Sequence, residues 1–222
     1  MTPERFRKLK DVLARRQPDL TVLAADVHKP HNISAIVRTC DAVGIYGVHA
    51  VSPSGEFHHH RMASGGSRHW VGLALHPSLS DAVKALRRSG WRLVAAHPHE
   101  SAQDFREIDY TCKTAIVLGS ELEGLEQEAI DAADETIKIP MAGMVESLNV
   151  SVAAALILYE AQRQRSNAGM YDTSRLDPEE FDRTLFEWAY PEIAERLQRH
   201  GQVYPALSDE GELLSNPLRS TE

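Results

Sequence analysis

Three stretches of the 222-residue chain combine glycine, proline and uncharged polar side chains at the ends of apolar runs, where open α/β sheets hold their ligands. The first is Lys29 to Arg38. On a helix starting near Asn32, a good N-cap residue, Arg38 projects away from the stripe Ile33, Ile36, Val37 and Cys40, so it is more than a stem laid on a core. The second, Leu118-Gly119-Ser120-Glu121-Leu122-Glu123-Gly124-Leu125, is a glycine-flanked acidic turn between strand and helix. The third runs from Ile139-Pro140-Met141 through Gly143 to Ser147-Leu148-Asn149, nearly uncharged, into an apolar helix. Each alone also fits plain loop punctuation, or an acidic residue placed to suit a helix dipole. No strand is followed by GxGxxG, which disfavours a nicotinamide or flavin fold. His58-His59-His60 are consecutive and lack a cysteine or acidic partner at zinc-like spacing, so no metal is expected. Cys40 sits on an apolar stripe, the place of a buried thiol and not of a nucleophile.

These loops need a frame. Apolar runs at Leu20–Ala25, Val48–Val51, Val71–Leu75, Arg92–Ala96, Thr114–Leu118 and Thr136–Ile139 read as strands. Helical patterns fall between them: 32–43, ended by Gly44; 80–88, ended by Gly90; 125–133; and 149–163. Such alternation predicts an α/β domain with a mostly parallel sheet flanked by helices. Before it, Phe6, Leu9, Val12 and Leu13 mark one face of an N-terminal helix. After it, a helix is expected from Asp177 to His200, then a poorly ordered tail over the last 20 residues.

Composition is ordinary: 42% hydrophobic and 25% charged residues, with a net charge of −8. Taken alone, −8 argues against a nucleic-acid partner. The charge is unevenly spread, however. Residues 1–16 carry six basic and two acidic side chains, whereas 172–222 carry twelve acidic and five basic ones. The longest strongly apolar run, Val150 to Tyr159, is far below the ~20 residues a membrane span needs, so no membrane association is expected. The start lacks a signal-peptide core, and two cysteines fit a reducing, cytoplasmic location.

Taken in order, the three loops resemble the signature motifs of the SPOUT class, the SpoU/TrmH family of S-adenosylmethionine-dependent RNA 2′-O-ribose methyltransferases. Asn32-x-x-Ala35-x-x-Arg38 resembles the first motif and Leu118-Gly119-Ser120-Glu121-x-x-Gly124-Leu125 the second. Ile139-Pro140-Met141-x-Gly143 with Ser147-Leu148-Asn149-Val150-Ser151-Val152-Ala153 resembles the third. Arg15 to Leu20, Val27 to Asn32, Phe105 to Thr111 and Tyr159 to Arg165 are similar to the branch that methylates the D-loop guanosine of tRNA, residue 18 of that RNA. The similarity spans about residues 3–175. Other activities within reach of the same residues are ribosomal RNA 2′-O-methylation and non-catalytic RNA binding.

The resemblance implies a deep trefoil knot towards the C-terminal part of the sheet, an obligate homodimer, and S-adenosyl-L-methionine as cofactor. It divides the chain into a basic N-terminal helix (1–18), a methyltransferase domain (19–166) and a C-terminal helical extension (167–222). It implies a cofactor site lined by Ala96, Gly119, Ile139, Met141, Leu148 and Asn149. Arg38 would activate the ribose hydroxyl or stabilise its oxyanion, with Asn32, Glu121, Ser147 and Asn149 orienting it. Lys8, Arg15, Arg16, Arg38 and Arg165 would hold the tRNA backbone. Glu146 and Leu122-Glu123 depart from the family pattern, where a glutamine and a lysine-containing pair are usual.

Overall fold

A computed structural model of the chain describes residues 1–25, 27, 29–53, 69–120 and 124–215. They form two compact units, one of residues 17–170 and the other of residues 1–16 with 171–222.

The larger unit is built on seven strands: β1 (Leu20–Ala24), β2 (Gly47–Val51), β3 (Gly72–His76), β4 (Arg92–Ala96), β5 (Gln103–Asp104), β6 (Thr114–Leu118) and β7 (Glu135–Lys138). Their order across the sheet is β3-β2-β1-β6-β4-β7-β5, and every pairing is parallel. The central strands are buried on both faces, as a parallel sheet covered by helices requires. Alternation sorts their side chains. Leu20, Val22, Ile116 and Leu118 face a core shared with α2 (Pro30–Ala42) and α5 (Val150–Asn167). Leu23, Leu93, Ala115 and Val117 face α3 (Leu79–Arg88) and α4 (Gln127–Asp131). Cys40 is fully buried in the first of these cores.

Local chemistry explains most helix ends. Ser78 caps α3 by accepting from the Asp81 N–H, and Asn149 caps α5 by accepting from the Ser151 N–H. α2 starts at Pro30, two residues before the expected Asn32 cap. The proline ring fills the first helical position, where its missing N–H costs nothing. Asn32 therefore lies inside the first turn, and its side chain is released from capping. The two-residue β5 has no periodicity to reveal it.

The smaller unit joins the two ends of the chain: α1 (Pro3–Ala14), α6 (Pro178–Ala189) and α7 (Pro191–Arg199). The helix expected from 177 to 200 is broken at Tyr190, because Pro191 disfavours helical geometry in the residue before it. The segment after α7, expected to be poorly ordered, is packed as far as Leu213. Tyr204 stacks on Phe186 at 4.5 Å, the Tyr190 hydroxyl donates to the Gly211 carbonyl, and Leu207 and Leu213 join the α6–α7 core. Among the described residues no helix is long and apolar enough to cross a membrane.

Candidate active site

The loops leaving β4, β6 and β7 meet at the carboxyl edge of the sheet around a cavity of about 300 Å³. Its wall includes Ala96 and His97 after β4, Gly119 and Ser120 after β6, and Ile139 and Met141 after β7. The third loop closes it with Glu146, Ser147 and Leu148, and α5 forms its back through Val150, Ala153 and Ile157. Of the six residues expected at a cofactor, Ala96, Gly119, Ile139, Met141 and Leu148 line this cavity.

The loop after β6 is folded sharply back. Ser120 N–H donates to the Gly124 carbonyl at 2.8 Å, and Gly124 N–H returns to Ser120 at 3.2 Å. A side chain on Gly119 would run into the Gly124 carbonyl, and Gly124 itself has φ +72. Both positions need glycine, one for close approach and the other for its backbone angle. Glu121 lies outside the described residues, as do Leu122, Glu123 and His58–His60.

Asn149 stands beside the cavity wall and links two of the three loops. Its Oδ1 accepts from Ser151 N–H and Oγ–H, and its Nδ2 donates to Asn32 Oδ1 at 3.3 Å. Asn32 is 2% exposed, held against α5 by this bond. Ser147 is exposed at the cavity, and Arg38 is exposed on α2, the helix that carries Asn32. The structure thus brings Ser147 to the cavity and couples Asn32 to Asn149.

The cations expected on RNA divide into two groups. Lys8 and Arg15 are exposed in the smaller unit. Arg16 and Arg165 are 0% exposed, and this corrects their assignment as RNA-backbone contacts. The Arg16 guanidinium lies 5.3 Å from the centroid of the Trp188 ring, within its own unit. Arg165 donates Nε to the Tyr110 carbonyl, Nη1 to Gln17 Oε1 and Asp19 Oδ1, and Nη2 to the Asp19 and Cys112 carbonyls. A periodic signal foretold both. Phe6, Leu9 and Leu13 continue to Arg16, and Ile157, Leu158 and Ala161 continue to Arg165, each at helical spacing. Arg163 is exposed, paired with Glu160 at 2.7 Å.

Five cavity residues lie outside the motifs and site residues read from the sequence: His97, Pro98, Ile137, Lys138 and Ile157. The Lys138 ammonium is turned to the His99 and Glu100 carbonyls, and Glu146 is the acidic side chain of the cavity wall among the described residues. Farther along the sheet, His49 on β2 and His76 on β3 share a hydrogen bond at 2.9 Å and stack at 5.2 Å. Burial, then repulsion from His76, pushes His49 down to about 4; burial also lowers His76, against the pull of Asp81.

Comparison with known proteins agrees with this architecture. The SpoU rRNA Methylase family matches residues 19–159, and the C-terminal SpoU rRNA methylase model matches 163–216. The tRNA (guanosine(18)-2′-O)-methyltransferase of Escherichia coli K12 is 52% identical over 215 residues, covering 96% of this chain and 94% of that protein. The crystal structure of the Aquifex aeolicus TrmH/SpoU tRNA modifying enzyme superposes with a TM-score of 0.80 at 41% identity, covering 86% of this chain and 97% of that one. The SpoU methyltransferase AviRb of Streptomyces viridochromogenes, solved with the cofactor AdoMet, gives a TM-score of 0.60 at 32% identity, covering 69% of this chain and 62% of that one. With its parallel sheet, the cavity at the carboxyl edge and these matches over most of its length, the chain belongs to the SpoU methylase family.

Proposed function

We propose that this chain transfers a methyl group from S-adenosyl-L-methionine to the 2′-oxygen of guanosine 18 in the D-loop of tRNA. The observation that carries this reading is the convergence of the second and third loops, with the loop after β4, on one cavity, to which the Asn32–Asn149 bond ties the first loop; a relative matched over 94% of its length is named for that reaction.

The cavity suits the cofactor. Ala96, Ile139, Met141 and Leu148 offer apolar walls for a flat ring, and Gly119 admits close backbone approach. Glu146 supplies a negative charge, fitting for a sulfonium cation. When bound, the cofactor supplies an electrophilic methyl group. The chain then has to hold the ribose hydroxyl in line with that methyl and stabilise negative charge on its oxygen. Arg38, with a planar fork of donors, takes the oxyanion and the neighbouring phosphate. Asn32 and Asn149, bonded to each other, fix the start of α2 against the third loop. Ser147 at the cavity orients the hydroxyl. Exposed Lys8 and Arg15 add phosphate contacts that carry no sequence information.

The knot expected for the family, threading the chain through the loops after β6 and β7, belongs to this reading, as does a cytoplasmic location alongside tRNA. So does a homodimer. Val152, Leu156 and Tyr159 are exposed at i, i+4 and i+7 on α5, and Met144 and Val145 of the third loop are exposed as well. This apolar stripe, on the helix that forms the back of the cavity, suits a second copy of the chain.

The test is methyl transfer to an unmodified tRNA transcript, with 2′-O-methylated positions mapped by resistance to alkaline cleavage. One modified site at guanosine 18 is expected. Modification of ribosomal RNA fragments with none on tRNA would overturn the substrate assignment.

A further inference from the structure

His97 follows β4 directly and lines the cavity; its backbone N–H donates to the Ile137 carbonyl, which fixes the residue at the carboxyl edge of the sheet. Its two ring nitrogens stand in different surroundings. Nδ1 is sealed from solvent and has no hydrogen-bond partner among the described residues. The Nδ1–Cε1 edge lies against Gly124, where an added Cβ would come within 3.5 Å of Nδ1. Nε2 is not sealed, so it is the polar atom that His97 can offer to the cavity.

This asymmetry sets the tautomer. A sealed N–H without an acceptor costs more than a sealed lone pair, because the proton can move to the nitrogen that finds a partner. The imidazole therefore carries its hydrogen on Nε2 and points a donor into a cavity whose walls are otherwise mostly apolar. Of the cavity's other polar side chains, the Lys138 ammonium is bound to carbonyls, Glu146 is an acceptor, and Ser147 serves the ribose hydroxyl. Gly124 forms the wall in van der Waals reach of the sealed edge of the imidazole.

We propose that His97 is a cofactor-positioning residue, whose Nε2–H donates a hydrogen bond to an acceptor atom of S-adenosylmethionine. The assignment rests on the methyltransferase reading above and deepens it.

The experiment is calorimetric titration of the full-length protein with S-adenosylhomocysteine and, separately, with methylthioadenosine, which lacks the amino-acid half. Four proteins are compared: wild type, His97→Gln, His97→Asn and His97→Phe, each checked for an unchanged melting temperature. Glutamine places its amide near the position of Nε2 and is expected to bind within about threefold of wild type, since the hydrogen bond is kept. Asparagine places its amide near Nδ1, and phenylalanine has no donor. Both are expected to bind about tenfold more weakly, the loss typical of one hydrogen bond to a buried group. A loss seen with both ligands puts the acceptor on the adenosine half, whereas a loss confined to S-adenosylhomocysteine puts it on the amino-acid half. Phenylalanine binding both ligands as well as wild type, or glutamine binding as weakly as phenylalanine, overturns the proposal. Failure of the wild type to bind either ligand would instead overturn the methyltransferase reading.

Discussion

Arg165 offers the sharpest test of how charge is used in this protein. Its guanidinium is fully enclosed and places all five of its hydrogen bonds inside the larger unit. The Asp19 carboxylate, 2.6 Å away, is itself only 18% exposed. Arg165→Ala strands that carboxylate and uncovers the Tyr110, Asp19 and Cys112 carbonyls in a space water cannot readily fill. Breaking a buried pair from one side costs about 3–5 kcal/mol. For a chain of this size that corresponds to a fall in melting temperature of roughly 6–20 °C. Arg165→Lys keeps the charge but not the planar fork, and is expected to recover less than half of the loss. The assay is a thermal melt followed by circular dichroism, paired with tRNA binding measured well below the melting point. The folded Arg165→Ala protein is expected to bind tRNA as wild type does, with an unchanged salt dependence. A melting temperature within about 2 °C of wild type together with weakened, less salt-sensitive tRNA binding would refute the argument and return Arg165 to the RNA surface.

Arg38→Lys is expected to reduce methyl transfer by a factor of about 100 or more while leaving S-adenosylhomocysteine affinity unchanged, because a point charge lacks the planar donor fork; near-normal turnover in that variant would remove Arg38 from the chemistry. Leu156→Glu, which places a charge in the exposed α5 stripe, is expected to halve the mass measured by light scattering without lowering the melting temperature. The His49–His76 pair predicts a pH dependence. The folded-state value of His49, about 4, lies below its ordinary 6.5, so the unfolded chain binds more protons between those limits. Its contribution to stability is complete above pH 6.5 and declines as pH falls towards 4. The urea midpoint should drop across that window, and His49→Gln should flatten the drop.

Much of the frame was legible in the sequence because it rests on local pattern. Arg92–Ala96 and Thr114–Leu118 are strands with the expected bounds, since each is an apolar run between turn residues. Asn149 caps α5 as its residue type suggests. Asn32 has the same residue type and a different use, because Pro30 had already started α2 and left the amide to bond across to Asn149. Pro30 is the one local sign that Asn32 does not cap; the partner its amide then takes lies 117 residues away, where no local pattern reaches. The cationic residues teach a related lesson. Arg165 and Lys8 both occur in basic segments, yet one continues an apolar stripe and the other departs from it. Charge suggested a surface, whereas periodicity placed Arg165 inside. His97 carried no pattern at all. Its setting depends on a glycine turn that follows β6, and only the folded sheet brings that turn alongside β4.

The smaller unit draws α1 from one end of the chain and α6 and α7 from the other, and this has a consequence for the order of assembly. Gln17 and Met170, the first and last residues of the larger unit, are 153 positions apart and joined by a hydrogen bond of 3.0 Å. In an unfolded chain, bringing such distant points together costs about 4–5 kcal/mol of loop entropy. Once the sheet has folded, that closure is already made, and the two ends emerge side by side at high effective concentration. During synthesis α1 leaves the ribosome first and finds its helical partners last. A chain that stalls before α6 therefore carries a complete sheet but leaves Phe6, Leu9 and Leu13 uncovered, an early sign by which a protease or chaperone can recognise unfinished copies.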